Sequence, residues 1–272
     1  MAEENSVRKV FELLTRAGRE KNVTVRDDQG DFSTFRDAAQ LWRAKRGRFR
    51  LIDTGKFSVF ELEWLAEAGS DIYTSNDARP HAGEVGLLAR ACVRGKAIVA
   101  YFHQGGLARN AETESASFSF LQGIGQSGAY VYLTNRDREC SFPDLAELAH
   151  TCRRAGTRLV YYHHGRLAVG LEEVSRNGAW IHCSDRSLEG PADIGLFFDL
   201  IEESSAAGAG VVLHVEKGVE VTLLRDILGA GAFVFFATPP AGRGSSLRPL
   251  EQQARRRKLD FRFYYLYPDQ MP

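Results

Sequence analysis

An internal repeat constrains the fold of this chain more than any other feature of its sequence. Each of four segments opens with an apolar run and a glycine, continues with apolar residues at helical spacing, and closes with a second apolar run. The repeat therefore predicts four strand–turn–helix–strand units. The opening runs are RLIDTG from Arg50, AYFHQG from Ala100, VYYHHG from Val160 and LHVEKG from Leu213.

Four such units give eight strands, with further helices between the units. Strands joined by helical crossovers favour a parallel sheet with right-handed connections. We predict an α/β fold, a (β/α)8 TIM-like barrel with an internal four-fold repeat, for which 272 residues is an ordinary length. An open parallel α/β sheet is the alternative. The strands are expected to start near residues 49, 71, 97, 129, 158, 179, 210 and 232, and helices to span Ala82–Val93, Pro143–Arg154 and Ala192–Ser205.

Both ends of the chain continue beyond these eight strands. Residues 1–48 predict an N-terminal helical extension that packs on the barrel, and residues 49–272 predict the barrel with a C-terminal helix and an extra strand, in one structural domain overall. The two ends either complete a fifth unit of the repeat or cap the barrel. The elements expected there are helices at Val7–Ala17, Thr34–Arg46 and Leu247–Leu259, and strands at Asn22–Arg26 and Phe261–Tyr267.

The repeat places four polar residues at one position of the opening runs. Counting two residues back from each glycine gives Asp53, His103, His163 and Glu216. We expect these side chains at the carboxyl ends of alternate strands, where barrels build their sites. Two imidazoles and two carboxylates resemble the ligands of a divalent metal ion (Zn, Mn or Fe), which activates water or polarises a carbonyl. All four are predicted as catalytic residues and metal ligands, and without a metal a histidine–carboxylate pair still supplies acid–base chemistry.

Two other interpretations of this position remain open. The two histidines stand among aromatic residues, which is also typical of hydrogen-bonded core histidines. Alternatively, the neighbouring position faces the interior, because a shift of one residue turns a strand side chain to the other face. The residues at this neighbouring position are Thr54, Gln104, His164 and Lys217. They suit a polar ligand and not a metal.

Polar and basic residues follow the closing runs and predict an anion site. Arginine side chains present paired N–H donors that suit carboxylate and phosphate groups. The loop PPAGRGSSL after the last run leads into a helix, and barrels often bind phosphate at such a place. A serine that caps the N-terminus of this helix is the alternative interpretation of the same residues. The residues predicted to bind substrate are Arg79, Arg138, Asp185, Arg186, Lys217 and Arg243.

Charge and cysteine content limit the partners and the compartment. Lys+Arg and Asp+Glu both number 35, so the formal net charge is zero and no overall field draws the chain to nucleic acid or membrane. No apolar run reaches the ~18 residues of a membrane span. Four scattered cysteines without CxxC spacing favour free thiols and a cytoplasmic location.

These patterns predict a barrel enzyme that acts on a small anionic substrate bearing phosphate or carboxylate. A metal-dependent hydrolase or lyase is the form that the four polar residues indicate. Walker, GxSxG and HExxH motifs are absent from the sequence. The alternatives are a non-catalytic barrel that serves as a scaffold or interaction protein, and an RNA-associated protein that uses the basic runs at residues 43–50 and 255–258. The sequence does not indicate an oligomeric state.

Overall fold

The computed structural model describes residues 15, 20–104, 107, 118–136, 140–237 and 247–263, in which strands alternate with helices. The strands are β1 (Asn22–Arg26), β2 (Arg48–Ile52), β3 (Ser70–Ser75), β4 (Val99–Phe102), β5 (Tyr130–Thr134), β6 (Leu159–His163), β7 (Trp180–Ser184), β8 (Val211–Val215), β9 (Phe233–Phe236) and β10 (Phe261–Phe263). The helices are α1 (Phe32–Ala44), α2 (Val59–Ala68), α3 (Ala82–Gly95), α4 (Phe118–Gln126), α5 (Phe142–Arg154), α6 (Leu171–Arg176), α7 (Pro191–Ala206), α8 (Val221–Ala230) and α9 (Arg248–Arg256).

The α/β class is confirmed, because strands β1 to β4 and strands β6 to β10 pair in parallel and in chain order, and strands alternate with helices. The chain forms two compact units, with the boundary inside β5 between Val131 and Tyr132. The first unit holds β1 to β4 and α1 to α4, and the second holds β6 to β10 and α5 to α9. Closure of the strands into a barrel stays a prediction. Within the described residues, every helix is too short or too polar to span a lipid bilayer.

The strands and helices of the repeat lie where the sequence predicts them. Each of the eight expected strands begins within two residues of its predicted start, and the three helices predicted between units are all present. The two ends each add a strand to the sheet of their own unit: β1 pairs with β2, and β10 pairs with β9. The chain before residue 48 therefore contributes a strand as well as helix α1. The predicted helix at Val7–Ala17 lies almost wholly outside the described residues.

In the first unit, one face of the strands packs against helices through large apolar side chains. Phe49 of β2 is fully buried, and its ring centroid lies 5.9 Å from those of both Phe35 and Trp42 of α1. Because strand residues alternate between faces, Leu51 and then Asp53 continue on this helix-facing side. Asp53 thus points toward the helices of its unit.

In the second unit, aromatic and polar side chains share one face of the sheet. Parallel pairing sets Tyr162 beside His182, and Ser184 beside His214. The Tyr162 and His182 rings are 4.5 Å apart between centroids. This face leads to the carboxyl ends of β7 and β8, where the polar residues described below collect.

Four Asp or Asn residues, which we call the carboxyl-edge clamps, explain why the repeat holds together. Each directly follows an odd-numbered strand and accepts hydrogen bonds from the backbone of the turn after the next strand. In the Asn clamps the amide group also donates to the backbone carbonyl of the residue that it holds, at 3.4 and 2.9 Å. The four clamps are Asp27 with Thr54 and Lys56, Asn76 with Gln104, Asn135 with His164, and Asp185 with Glu216, Lys217 and Gly218.

Replacing Asp185 by Asn is expected to loosen the turn after β8 locally. The new NH2 group faces backbone N–H donors, and leaving such donors unpaired costs about 1–3 kcal/mol. Amide hydrogen exchange at Lys217 and Gly218 should become about tenfold faster or more. This is measured by NMR on the full chain.

The matched control is Asp27→Asn, which removes the equivalent acceptor in the first unit. It should speed exchange at Thr54 and Lys56 and leave Lys217 and Gly218 unchanged. Unaltered exchange at Lys217 and Gly218 in Asp185→Asn would mean that the clamp does not hold this turn.

Candidate functional site

In the first unit, Asp53 and Arg79 form a buried ion pair. The Asp53 carboxylate accepts two bonds from the Arg79 guanidinium, Nε to Oδ2 at 2.8 Å and Nη2 to Oδ1 at 2.9 Å. It also accepts the Thr74 hydroxyl at 2.7 Å and the Gly55 N–H at 2.9 Å. Asp53 is 0% exposed and Arg79 only 7% exposed. The two side chains neutralise each other, so the structure does not support Asp53 as a metal ligand or Arg79 as a substrate-binding residue.

His103, the second predicted site residue of the first unit, is also buried. It follows β4 on the face that carries Tyr101, whose ring packs edge-on against Phe120 of α4 at 6.1 Å between centroids. This is the side of β4 that faces a helix. His103 therefore occupies the core environment that the aromatic residues around it indicate.

In the second unit, a cleft of about 300 Å³ lies at the carboxyl ends of β5 to β8. It combines positively charged, negatively charged and hydroxyl groups. Three of the predicted site residues, His163, Arg186 and Glu216, contribute to it. The residues that line it are Arg136, His163, His164, Gly165, Ser184, Arg186, Ser187 and Glu216.

An exposed ion pair between Arg186 and Glu216 forms the charged centre of this cleft. Arg186 Nε lies 2.7 Å from Glu216 Oε2, and the Ser184 hydroxyl donates to the same oxygen at 3.1 Å. The Arg186 side chain is 62% exposed and that of Glu216 is 24% exposed. Pairs this exposed contribute about 1 kcal/mol or less. An anion from solution can therefore displace Glu216 from Arg186 at little cost.

Asp185 organises the site without entering it. Its carboxylate accepts the backbone N–H groups of Glu216, Lys217 and Gly218 at 3.1, 2.9 and 2.8 Å. Asp185 was predicted to bind substrate, but both of its oxygens are used to hold the turn that carries Glu216. Lys217 is exposed and does not line the cleft. Arg138 and Arg243, the other predicted substrate-binding residues, lie outside the described residues.

His163 and Glu216 lie on opposite faces of the sheet, which corrects the expectation that they share one position. His163 pairs in register with Cys183, whereas Glu216 accepts a bond from Ser184, the next residue along β7. The glycine follows the last strand residue by two positions after β6 and by three after β8. The turn after β8 is therefore one residue longer. Counting two residues back from each glycine selects side chains on opposite faces of the sheet, His163 after β6 and Glu216 after β8.

His163 is neutral and has a defined tautomer. Its Nε2 lies 2.9 Å from the Arg166 carbonyl oxygen. A carbonyl can only accept, so Nε2 carries the proton and Nδ1 is the basic nitrogen. Burial lowers the pKa of His163 below its usual value.

The four residues predicted as metal ligands do not form a ligand group. All four lie in the described part of the chain. Within that part, no three His, Cys, Asp or Glu side chains come close enough together to hold a metal ion. The structure therefore gives no support to a site for Zn, Mn or Fe built from Asp53, His103, His163 and Glu216.

Sequence reasoning missed a buried histidine pair in the second unit. His182 Nδ1 and His214 Nε2 are 3.0 Å apart, so one ring donates an N–H to the other. Burial lowers the pKa of His214 to about 3 and holds the pKa of His182 well below its usual range. The available signal was a histidine inside each of two neighbouring strands, His182 in WIHCS and His214 in VVLHV.

No protein-family model matches this chain, and no curated protein matches its sequence. Solved structures show a distant likeness. A 3-dehydroquinate dehydratase from Enterococcus faecalis is 13% identical with a TM-score of 0.36, covering 77% of this chain and 93% of that one. The 3-dehydroquinate dehydratase from Aquifex aeolicus VF5 is 14% identical with a TM-score of 0.32, covering 87% and 96%. A thiamine phosphate pyrophosphorylase from Pyrococcus furiosus is 12% identical with a TM-score of 0.30, covering 77% and 94%. Likeness at this level says nothing about activity.

Acidification is expected to destabilise the protein through His182 and His214. Imidazoles of the unfolded chain titrate near 6.5, whereas folded His214 titrates only at about 3. Between these values the unfolded chain binds more protons, so the free energy of unfolding falls as the pH falls, and the full stability is present above pH ~6.5. Each such histidine contributes a slope of about 1.4 kcal/mol per pH unit.

Urea unfolding between pH ~7 and ~4 measures this slope. In His214→Gln the slope of the free energy of unfolding against pH should be smaller by the equivalent of about one proton. His150→Gln, which changes an exposed histidine of α5, should match the unaltered chain. Equal slopes in His214→Gln and the unaltered chain would show that this pair does not govern the acid response.

Proposed function

We propose that this chain is an enzyme that binds a small anionic substrate, bearing phosphate or carboxylate, in the cleft of the second unit. One observation carries the proposal: Arg136 and Arg186 line the same cleft as Glu216, where each follows the end of a strand, β5, β7 and β8 respectively. Guanidinium groups bind planar or tetrahedral oxyanions through paired N–H donors. The carboxyl ends of strands are where α/β proteins build such sites.

Anion binding and acid–base chemistry are linked through the Arg186–Glu216 pair. When a substrate anion takes the place of Glu216 on Arg186, the carboxylate loses its cationic partner and is left beside the bound molecule. A carboxylate in that position accepts a proton from the substrate. The Ser184 hydroxyl, 3.1 Å from Glu216 Oε2, holds the side chain in the cleft during the exchange.

This chemistry suits a lyase or a hydrolase. Glu216 acts as the general base, because its part-exposed carboxylate lines the cleft beside Arg186. The proposal assigns substrate binding to Arg136 and Arg186, and proton transfer to Glu216.

Replacing Arg186 by Gln is expected to weaken anion binding by about tenfold or more, because a hydrogen bond to a charged group contributes about 1.5–3 kcal/mol. NMR titration of the full chain with inorganic phosphate and with acetate measures this, through the backbone amides of Ser184, Arg186 and Gly218. Arg176→Gln is the matched control, because Arg176 lies in the same unit but pairs with Glu203 on an exposed surface. Its affinity for both anions should be unchanged. Failure of both anions to shift these amides in the unaltered chain would refute the proposal.

A further inference from the structure

The repeat builds the same arrangement of residues at the ends of β5 and β7. A hydroxyl residue, a carboxyl-edge clamp and an arginine follow one another, as Thr134-Asn135-Arg136 and as Ser184-Asp185-Arg186. In both, the backbone N–H of the arginine donates to the hydroxyl oxygen two residues earlier, at 3.2 Å after β5 and 3.3 Å after β7. Both arginines line the cleft, which is therefore assembled from two equivalent halves.

The two halves differ at the residue that each clamp holds after the next strand. Asn135 accepts the backbone N–H of His164 at 2.7 Å, and Asp185 accepts that of Glu216 at 3.1 Å. Asn135 also donates to the His164 carbonyl oxygen at 2.9 Å, so both backbone groups of His164 are fixed. Both held residues line the cleft. His164 thus occupies in the first half the place that Glu216 occupies in the second.

The register of the sheet places His164 on the face that carries the cleft. Tyr162 pairs with His182, and His164 and Ser184 lie two residues further along the chain from each of them. Side chains two residues apart along a strand share a face. Because β6 lies between β5 and β7, the imidazole stands between the strand ends that carry the two arginines of the cleft.

Three charged side chains line the cleft around His164: Arg136 after β5, Arg186 after β7 and Glu216 after β8. Two positive charges and one negative charge leave a net charge of plus one. A proton on His164 raises this to plus two and sets an imidazolium between two guanidinium groups, which repel it. A bound oxyanion with two negative charges offsets this charge, whereas a carboxylate offsets only half of it.

The other titratable groups near His164 leave this balance unchanged near neutral pH. Burial lowers the pKa of His163 and holds the pKa of His182 well below its usual range, so both rings are neutral. Arg166, in the same turn as His164, pairs with Asp193 of α7. An imidazole is the side chain that ordinarily titrates near neutral pH, so the charge of the cleft follows the protonation of His164.

Resting on the proposed function, we infer that His164 is a ligand-binding residue and that the anion of this cleft is doubly charged, as in a phosphate monoester. The three terminal oxygen atoms of its tetrahedral group bind Arg136, His164 and Arg186, at the ends of three successive strands. Binding takes up one proton from solution at His164, because the bound anion stabilises the imidazolium. The affinity therefore rises as the pH falls through the range in which His164 titrates.

Anion binding at two pH values tests this inference. Sulfate and acetate are titrated into the full chain at pH ~8 and pH ~6, the range in which histidines titrate, and binding is followed by NMR. Unlike inorganic phosphate, sulfate keeps both of its negative charges throughout this range. Sulfate should bind about tenfold more tightly at pH ~6 than at pH ~8, and more tightly than acetate at pH ~6.

In His164→Gln the affinity for sulfate should be the same at both pH values, and close to that of the unaltered chain at pH ~8. The preference for sulfate over acetate should shrink accordingly. A second measurement uses the unaltered chain alone. The titration of the His164 imidazole, followed by its NMR signals, should move to higher pH when sulfate is present.

His150→Gln is the matched control, because it removes an exposed histidine of α5 in the same unit. It should keep the pH dependence of the unaltered chain. A pH dependence that survives in His164→Gln would overturn the inference and leave the proposed anion site standing. Acetate binding as tightly as sulfate at pH ~6 would do the same. Absence of binding by both anions at either pH would overturn the proposed function as well.

Discussion

The carboxyl-edge clamps are the interactions on which the local order of this protein depends. A parallel sheet pairs the backbone along its strands and leaves the turns at the carboxyl edge without partners. An Asp or Asn directly after a strand supplies those partners. Asp185 shows the principle most fully, since one carboxylate receives three successive backbone N–H groups. The turn that bears Glu216 is thereby fixed in place before any ligand arrives.

The same repeat produces a closed ion pair in one unit and an open one in the other. Arg79 is 7% exposed and meets a fully buried carboxylate through two bonds, so displacing Asp53 would leave an unpaired buried charge. Removing one partner of a buried pair costs about 3–5 kcal/mol. Arg186 is largely exposed, and its contact with Glu216 is screened by water. Burial and not residue type therefore decides which arginine is available to an anion.

Much of the fold could be predicted from the sequence, because apolar runs ending in glycine define strands and turns without reference to distant residues. The site could be predicted less well. Glu216 and His163 occupy the same place relative to a glycine, yet one extra residue in the turn after β8 reverses the face. Asp185 looks like a ligand-binding residue in sequence, and only the folded structure shows three N–H groups directed at it. Ser187 carried no signal in the sequence, since an isolated serine after a strand is ordinary.

His182 and His214 form a layer of side chains next to the cleft, two residues before Ser184 and Glu216 along their strands. The charge of this layer affects the position of the Glu216 carboxylate. His214 lies beside Ser184 in the register and two residues before Glu216. Because burial depresses the pKa values of both His182 and His214, this layer carries no charge near neutral pH. A cationic layer there would attract Glu216 inward and compete with Arg186 for it. A neutral layer leaves Arg186 as the cation that governs the position of the Glu216 carboxylate, which is the condition that anion exchange at the mouth of the cleft requires.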